Sequence, residues 1–349
     1  MTQCLPETIR NSETLEDLLS TPSVGAVAAL RRIRGDIILL GAGGKMGPSL
    51  ARMARRAADS ADDFWARRRV IAVSRFSEVG LEKSLRAHGI ETIACDLLDP
   101  DAVERLPDAP NVIFMTGMKF GATGNEARTW AMNAWLPGVV CARYRVSRIV
   151  AFSTGNVYGL CPVESGGSRE DDALRPEGEY AMSCLGRERI FEHFSRKWGI
   201  YTALIRLNYA CEMRYGVLVD LAGKIWREEP IPLAMGYFNV IWQGDANAAV
   251  LQALEYAAAP PFVINVTGSE LLCVREVCEK FAEIMGKRVR FVGEESPDAL
   301  ISDARLAHKL FRPPCVNADM LIRWVADWVM RGGKTWDKPT HFEVRDGRF

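Results

Sequence analysis

The 349-residue sequence lacks the features that mark several classes of protein. Its nine cysteines include no C-x-x-C pair and its four histidines are scattered, so neither a disulfide framework nor a metal site is predicted. Its apolar runs are far shorter than the roughly 20 residues that span a bilayer, and the first residues do not resemble a signal peptide. Acidic and basic residues balance at 44 each, which gives no indication of a nucleic-acid or membrane partner. These absences predict a cytoplasmic protein with reduced cysteines.

The residues that are present suffice for a large core arranged in a regular pattern. Hydrophobic residues make up 48% of the chain, and short apolar runs alternate with amphipathic segments from Asp36 onward, as in a doubly wound parallel sheet. The predicted fold class is α/β, a Rossmann-type sheet with a smaller C-terminal α/β substrate lobe. The predicted divisions are a helical N-terminal extension (1–35), an NAD(P)-binding domain (36–210), the smaller lobe (211–332) and a tail (333–349) that we expect to be too polar for the core.

A glycine-rich turn follows the apolar run from Ile37 to Leu40 and opens an amphipathic segment. Glycines let the main chain approach a pyrophosphate, which then lies on the free N–H groups and the positive end of the following helix. The turn therefore predicts a dinucleotide site. The residues expected to contact the cofactor here are Gly41, Gly43, Gly44, Lys45, Met46 and Gly47.

The choice between NAD and NADP depends on the end of the second predicted strand. Enzymes that bind NAD usually place a carboxylate there, whereas an arginine accommodates the 2′-phosphate of NADP. This chain has Ser74 and Arg75, which together with Lys45 slightly favours NADP. The alternative is that both basic side chains point into solvent and the site takes either cofactor.

A second motif lies further along the chain. The apolar segment 149–153 runs into Thr154-Gly155-Asn156-Val157-Tyr158-Gly159, and Tyr180 follows 26 positions after Thr154. With the glycine turn, these segments resemble the extended short-chain dehydrogenase/reductase family of sugar-nucleotide epimerases and dehydratases, over about residues 36–330. The resemblance implies that Tyr180 is an acid/base in hydride chemistry and that Thr154 is its hydroxyl partner. It also implies a homodimer packed through the helices at 126–144 and 180–198, and cofactor contacts from Asp96, Leu97, Thr116, Gly117, Asn133 and Tyr180.

The chain departs from the family four residues after the tyrosine, where Cys184 replaces the usual lysine. A neutral thiol cannot lower the pKa of a phenol as an ammonium does. Three explanations stay open. In the first, Lys119 supplies the cation from another loop. In the second, Cys184 is itself a thiol acid/base, for which the alternative is a small buried residue. In the third, the protein binds cofactor with little hydride chemistry.

The substrate prediction depends on two arginines that the resemblance implies for a substrate diphosphate. The first position is Phe238 or Asn239, and the second falls in the acidic segment 293–298, whose carboxylates would repel a diphosphate. We therefore expect an NAD(P)-dependent oxidoreductase or epimerase that acts on a small non-nucleotide carbohydrate or sugar acid. The alternatives are a nucleotide-sugar epimerase, dehydratase or lyase, and a catalytically weak cofactor-binding protein. The predicted substrate residues are Met118, Asn156, Asn208, Tyr209, Arg214, Asn239 and Trp242. The alternative for Arg214 is a surface ion pair. The alternative for Trp242 is a position in the core.

Overall fold

The computed structural model describes residues 5–61, 68–119, 121 and 124–348. The strands in these ranges are β1 (Ile37–Leu40), β2 (Val70–Ser74), β3 (Glu91–Ala94), β4 (Asn111–Phe114), β5 (Arg148–Thr154), β6 (Cys161–Pro162), β7 (Thr202–Leu207), β8 (Ala210–Cys211), β9 (Ile231–Pro232), β10 (Tyr237–Phe238), β11 (Ile241–Trp242), β12 (Phe262–Val266), β13 (Leu272–Cys273), β14 (Phe291–Val292) and β15 (Asp298–Ala299). The helices are α1 (Ser12–Leu19), α2 (Val24–Arg32), α3 (Gly47–Ser60), α4 (Leu81–Ala87), α5 (Pro100–Glu104), α6 (Glu126–Trp130), α7 (Leu136–Arg143), α8 (Gly178–Trp198), α9 (Val217–Trp226), α10 (Gln243–Ala253), α11 (Val274–Met285), α12 (Arg305–Phe311) and α13 (Ala318–Met330). A π-helical turn, Ala131–Trp135, joins α6 to α7.

The central sheet has seven strands within the described residues, in the order β12-β7-β5-β4-β1-β2-β3. All its neighbouring strands are parallel. Strands β1 and β4 are buried along their whole length, as expected for a parallel sheet covered on both faces. The strand order reverses between β1 and β4, and ligands of such sheets bind in the crevice beyond that point. The predicted Rossmann-type fold is confirmed.

The sheet extends beyond the predicted boundary at residue 210. Its edge strand β12 comes from the range predicted for the smaller lobe and pairs in parallel with β7, with Ile264 opposite Ile205. The pairing follows from the apolar side chains of β12, since Ile264 and Val266 are buried in the core of the sheet. The cofactor-binding and smaller lobes therefore interleave along the chain.

The C-terminal tail is more deeply buried than its polar composition predicts. Thr340 and Phe342 are each 2% exposed, and the Phe342 ring centroid lies 5.9 Å from that of Phe238. The Thr340 backbone N–H and hydroxyl both donate to one carboxylate oxygen of Asp220, at 2.7 and 2.6 Å. The expectation of a tail too polar for the core was wrong, because a partner inside the protein satisfies the polar groups of Thr340.

Candidate active site

Two cavities lie along the crevice at the carboxyl ends of the parallel strands. The smaller has a volume of about 240 Å³ and is lined by residues that follow β1, β2, β3 and β4. The larger has a volume of about 500 Å³ and extends past the ends of β5 and β7. Gly44, Met115 and Gly117 line both cavities, so the two form one continuous crevice.

The predicted cofactor residues cluster in this crevice. Gly41 has φ +95°, and a Cβ there would come within 2.5 Å of the Thr116 hydroxyl oxygen, so the turn requires glycine. Helix α3 begins at Gly47 with its N-terminus beside the turn. The residues lining the smaller cavity include Gly41, Gly43, Gly44, Ser74, Arg75, Asp96, Leu97, Thr116 and Gly117, and those lining the larger include Lys45, Met46 and Tyr180. Two predicted residues, Gly47 and Asn133, line neither.

Lys45 extends from the turn into the larger cavity. Its Nζ lies 3.0 Å from the centroid of the Tyr215 ring, a cation–π contact. Burial, together with the smaller effects of the positive charges of Lys338 and Lys119, lowers the pKa of Lys45 to about 7. The turn therefore places a partly desolvated lysine in the larger cavity.

Thr154 and Tyr180 meet in the larger cavity, although they come from different elements. Thr154 is the last residue of β5 and Tyr180 lies in the first turn of α8. The side chains of Thr154 and Cys184 lie close enough to the Tyr180 hydroxyl to affect its pKa, which burial raises well above the ordinary value. Asn156 Nδ2 donates to Thr154 Oγ1 at 2.9 Å. Tyr180 is thus a protonated phenol at neutral pH and can donate a proton into the cavity.

Cys184 lies one helical turn after Tyr180 and is fully buried. Burial raises the pKa of its thiol, although the charges of Arg187 and Lys119 act in the opposite direction. It does not line the larger cavity. Its surroundings favour the small buried residue over the thiol acid/base.

Lys119 approaches Tyr180 from the loop after β4. Its Nζ lies 5.8 Å from the centroid of the Tyr180 ring and donates to the Thr340 backbone oxygen at 3.2 Å. Burial lowers the pKa of Lys119 to about 8. The predicted substitute cation is therefore brought to the tyrosine, on the side that faces the tail.

Arg187, which the sequence analysis missed, is a second cation near Tyr180. The residue is 5% exposed, and its guanidinium donates to the Phe152 oxygen and to Asn133 Oδ1, both at 2.7 Å. A Cβ on Gly117 would lie 2.6 Å from Arg187 Nη2, so the guanidinium lies directly against that loop. Its charge lowers the pKa of Tyr180, opposing the effect of burial. Tyr180, Cys184 and Arg187 follow i, i+4, i+7 spacing, and this helical periodicity could have identified Arg187.

Asn133 organises this region from behind the cavity. It lies in the π-helical turn, an irregularity that is frequent at functional sites. Its side chain accepts from the Met118 backbone N–H at 2.9 Å and donates to the Met118 oxygen at 3.0 Å and to the Ser183 hydroxyl at 2.9 Å. It therefore fixes the loop after β4 relative to α8.

Three of the predicted substrate residues, Asn156, Asn208 and Tyr209, line the larger cavity. Asn239 lies behind Asn208, accepting from its amide at 2.8 Å and donating to the Ser302 oxygen at 2.8 Å. Met118 contributes backbone groups to Asn133 and does not line the cavity.

The other two predicted substrate residues also lie outside the cavity. Arg214 forms ion pairs with Glu212 at 2.9 Å and Glu16 at 2.7 Å. Trp242 is 3% exposed and packs edge-on against Trp324, with ring centroids 5.5 Å apart. An ion pair was the alternative for Arg214, and charge pairing explains its placement. A position in the core was the alternative for Trp242, and apolar packing explains that placement.

The acidic segment 293–298 is less negative than its sequence indicates. Glu295 pairs with Arg275 at 2.8 Å, and Asp298 pairs with Arg345 from the tail. The expected repulsion of a diphosphate is therefore weakened, because cations from distant parts of the chain compensate two of the three carboxylates of the segment. Phe238 and Asn239 supply no cation, as the sequence indicated.

No group of three or more histidine, cysteine, aspartate or glutamate side chains suitable for holding a metal ion is found in the described part of the chain. Its eight described cysteines are free thiols. Across the same residues, no helix has both the length and the apolar character needed to cross a membrane.

The family model of the NAD dependent epimerase/dehydratase family matches residues 37–211, about half of the chain. The match includes the glycine turn, Thr154, Tyr180 and Cys184. No curated protein matches the sequence.

Several solved structures resemble the chain. MoeE5 in complex with UDP-glucose and NAD has 19% identity and a TM-score of 0.67, covering 85% of this chain and 99% of its own. The UDP-glucuronic acid 4-epimerase from Bacillus cereus, in complex with UDP-glucuronic acid and NAD, has 18% identity and a TM-score of 0.69, with coverage of 85% and 99%. The dTDP-glucose 4,6-dehydratase from Bacillus anthracis str. Ames, in complex with NAD, has 14% identity and a TM-score of 0.71, with coverage of 85% and 97%. At these identities the likeness establishes the fold.

Proposed function

The chain belongs to the NAD dependent epimerase/dehydratase family, and on that premise we propose that it catalyses hydride transfer at a carbohydrate carbon, with Tyr180 moving the hydroxyl proton. The observation that carries this proposal is that Tyr180 and Thr154 line the same cavity, with Thr154 close enough to affect the pKa of Tyr180. When bound, NAD or NADP supplies the hydride acceptor or donor. The protein supplies the orientation of the substrate oxygen through Thr154 and the proton through Tyr180.

Arg187 and Lys119 together take over the electrostatic role of the missing lysine in this proposal. Arg187 acts through its charge from behind the loop after β4 and is a positioning residue. Lys119 lies with its Nζ 5.8 Å from the centroid of the Tyr180 ring. Both charges favour the ionised phenol, whereas the neutral Cys184 does not.

A nucleotide sugar is the first substrate class to test. The structural neighbours are described with UDP-glucose or UDP-glucuronic acid, and the paired carboxylates at 295 and 298 remove much of the electrostatic argument against a diphosphate. These observations favour the nucleotide-sugar alternative over the small sugar acid that the sequence analysis preferred. A sugar acid stays the second candidate, because Phe238 is buried against Phe342 and Asn239 is bonded to Ser302, so neither position can grip a diphosphate as an arginine would.

The cofactor preference and the oligomeric state extend this proposal. Arg75 lines the smaller cavity and supports NADP, whereas the neighbours carry NAD. The homodimer is supported by large apolar side chains exposed on the two predicted contact segments, Trp130, Trp135 and Met182. Size-exclusion chromatography with light scattering tests the dimer, and Trp135→Glu is expected to yield monomers.

The proposed activity is tested with a panel of UDP-glucuronic acid, UDP-glucose, D-glucuronate and D-glucose, each mixed with the protein and oxidised NAD or NADP. We expect one compound to yield reduced nicotinamide or an epimerised or dehydrated product. A protein that binds the cofactor but changes no compound of the panel would contradict the proposed chemistry and favour the cofactor-binding protein without hydride chemistry.

A further inference from the structure

We propose that the C-terminal tail, residues 334–348, is a wall of the substrate site, and that its Lys338 forms with Lys119 a subsite for an oxyanion of the substrate. The oxyanion is a carboxylate or a phosphate. The inference rests on the proposed function in one respect, because it takes the larger cavity to be the place where the substrate binds.

The tail is fixed on both sides of Lys338. Before it, the Trp336 backbone N–H donates to the Arg214 oxygen at 3.1 Å. After it, Thr340 bonds to Asp220 through its N–H and its hydroxyl. Lys338 therefore lies in a short segment between two anchors, and both Lys338 and Thr340 line the larger cavity.

The tail continues along the edge of the same cavity. The Arg345 guanidinium donates to the backbone oxygens of Ala234 and Asp298 at 2.9 and 3.0 Å and pairs with the Asp298 carboxylate. A small pocket of about 30 Å³ is lined by both Arg345 and Asn156, and Asn156 also lines the larger cavity. The tail therefore lies close to the larger cavity on the side of Asn156 as well.

The larger cavity is strongly positive. Its lining includes the four cations Lys45, Lys119, Arg187 and Lys338, and none of the described lining residues is an aspartate or a glutamate. The carboxylates of Asp220 and Glu343 act on Lys119 from outside the lining, where Asp220 accepts from Thr340 and Glu343 pairs with Lys224 at 3.9 Å. A cavity with this charge favours an anionic occupant.

The four cations divide between the two parts of the site. Lys45 belongs to the glycine turn, where a cofactor pyrophosphate would lie, and Arg187 is held by Phe152 and Asn133 behind Gly117. Lys119 lies beside the Tyr180 ring and donates to the backbone oxygen of Thr340, two residues after Lys338. Both lysines line the larger cavity, and we assign them to a charged group on the substrate.

The lysines repel one another when the cavity holds no anion. The charges of Lys338 and Lys119 both lower the pKa of Lys45, after the larger effect of burial, and burial lowers the pKa of Lys119 to about 8. An oxyanion bound among the lysines relieves the repulsion at Lys45. Its affinity should therefore decrease as the pH rises from 7 to 9 and Lys45 and Lys119 lose their protons.

The test measures, by isothermal titration calorimetry, how the full chain binds two matched pairs of probes in the presence of NADH. The pairs are D-glucuronate with D-glucose, and UDP-glucuronic acid with UDP-glucose. Inorganic phosphate is titrated with and without NADH. The variants are Lys338→Ala, Lys338→Arg and, as a control of equal charge change in the same tail, Lys334→Ala, whose side chain is exposed and lines neither cavity.

We expect Lys338→Ala to weaken the binding of an anionic probe about tenfold or more, and Lys338→Arg to keep the wild-type affinity. Lys334→Ala should bind every probe as the wild type does. The affinity for neutral D-glucose should be the same in all variants. An effect on D-glucuronate identifies a carboxylate as the ligand, and an effect on UDP-glucose or inorganic phosphate identifies a phosphate. Equal affinities for all three variants and the wild type, or no binding of any anionic probe, would overturn the subsite. If the protein fails to bind NADH but phosphate binding still depends on Lys338, the proposed function fails and the anion subsite stands.

Discussion

The two ends of the crevice are built in different ways. The smaller cavity is made of short segments that directly follow β1 to β4, each marked by residues with recognisable local roles. The larger cavity combines Tyr180 of α8, Tyr215 before α9 and Lys338 of the tail, which are far apart in sequence. The cofactor end therefore follows from local motifs, whereas the substrate end exists only once the whole chain is folded. Variants that affect one end and spare the other test this division.

The largest effect is expected for Tyr180→Phe at the substrate end. Loss of the hydroxyl removes the proton donor, so turnover should decrease about 10²- to 10⁴-fold, while NADH affinity stays within twofold of the wild type. Product formation and NADH fluorescence titration measure the two effects. The control is Tyr201→Phe, at a tyrosine that is 54% exposed. Full activity of Tyr180→Phe would remove this residue from the chemistry.

Glu188→Ala should destabilise the whole protein, because Glu188 joins β5 and β7 beneath the larger cavity. Its carboxylate accepts from Arg206 at 3.0 and 2.8 Å and from the Ser153 hydroxyl at 2.5 Å, all buried. Removing one partner of a buried pair leaves an uncompensated charge and should lower the free energy of unfolding by about 3–5 kcal/mol. Urea denaturation measures this loss. Glu192→Ala, which breaks an exposed pair on the same helix, should cost at most about 1 kcal/mol, and equal losses in the two variants would contradict the account.

Arg187→Met tests whether the charge of Arg187 acts on Tyr180. Because this charge lowers the pKa of Tyr180, its removal should raise the pKa and move the pH dependence of kcat upward by about one unit or more. Arg187→Lys should keep the wild-type profile. A decrease in rate that is equal at all pH values in Arg187→Met would indicate a structural role alone.

Lys45→Met should stabilise the cofactor-free protein. An unfolded lysine has a pKa near 10.4, and in the folded protein that of Lys45 is about 7, so the unfolded chain binds more protons between these values. The contribution of Lys45 to the free energy of unfolding therefore increases as the pH rises from 7 to about 10. The melting temperature of Lys45→Met should exceed that of the wild type by about 2 °C or more at pH 7, with a smaller difference at pH 9. A lower melting temperature at both pH values would contradict the predicted cost of burying this charge.

Arg75→Ser should have the smallest effect, restricted to the cofactor end. If Arg75 binds the 2′-phosphate, its loss should lower the affinity for NADPH about five- to tenfold and leave the affinity for NADH unchanged. Lys83→Ser, at another exposed cation in the same region, is the control. Equal affinities of wild type and Arg75→Ser for NADPH would show that the arginine points into solvent.

The fold and the grouping of residues around the smaller cavity were predictable because their determinants are local. Apolar runs with helical segments between them define β1 to β5, and the required glycine at Gly41 is part of a contiguous motif. The substrate end was predicted only in part. Trp242 and Arg214 have side chains of types that suit carbohydrate binding. In the folded protein, however, Trp242 packs against Trp324 and Arg214 pairs with Glu212.

Other contacts at the substrate end join residues that no sequence spacing connects. The burial of Phe342 against Phe238 and the pairing of Arg345 with Asp298 depend on the path of the tail across the folded lobe. Arg187 differs from these, because its helical spacing from Tyr180 was visible and was overlooked.

Titration of the purified protein with NADH and NADPH, followed by fluorescence, tests the central claim most directly, since it requires no knowledge of the substrate. We predict saturable binding of one cofactor per chain, unchanged in Tyr180→Phe. A protein that binds neither cofactor would contradict the assignment of the crevice as a dinucleotide site, and with it the proposed hydride chemistry.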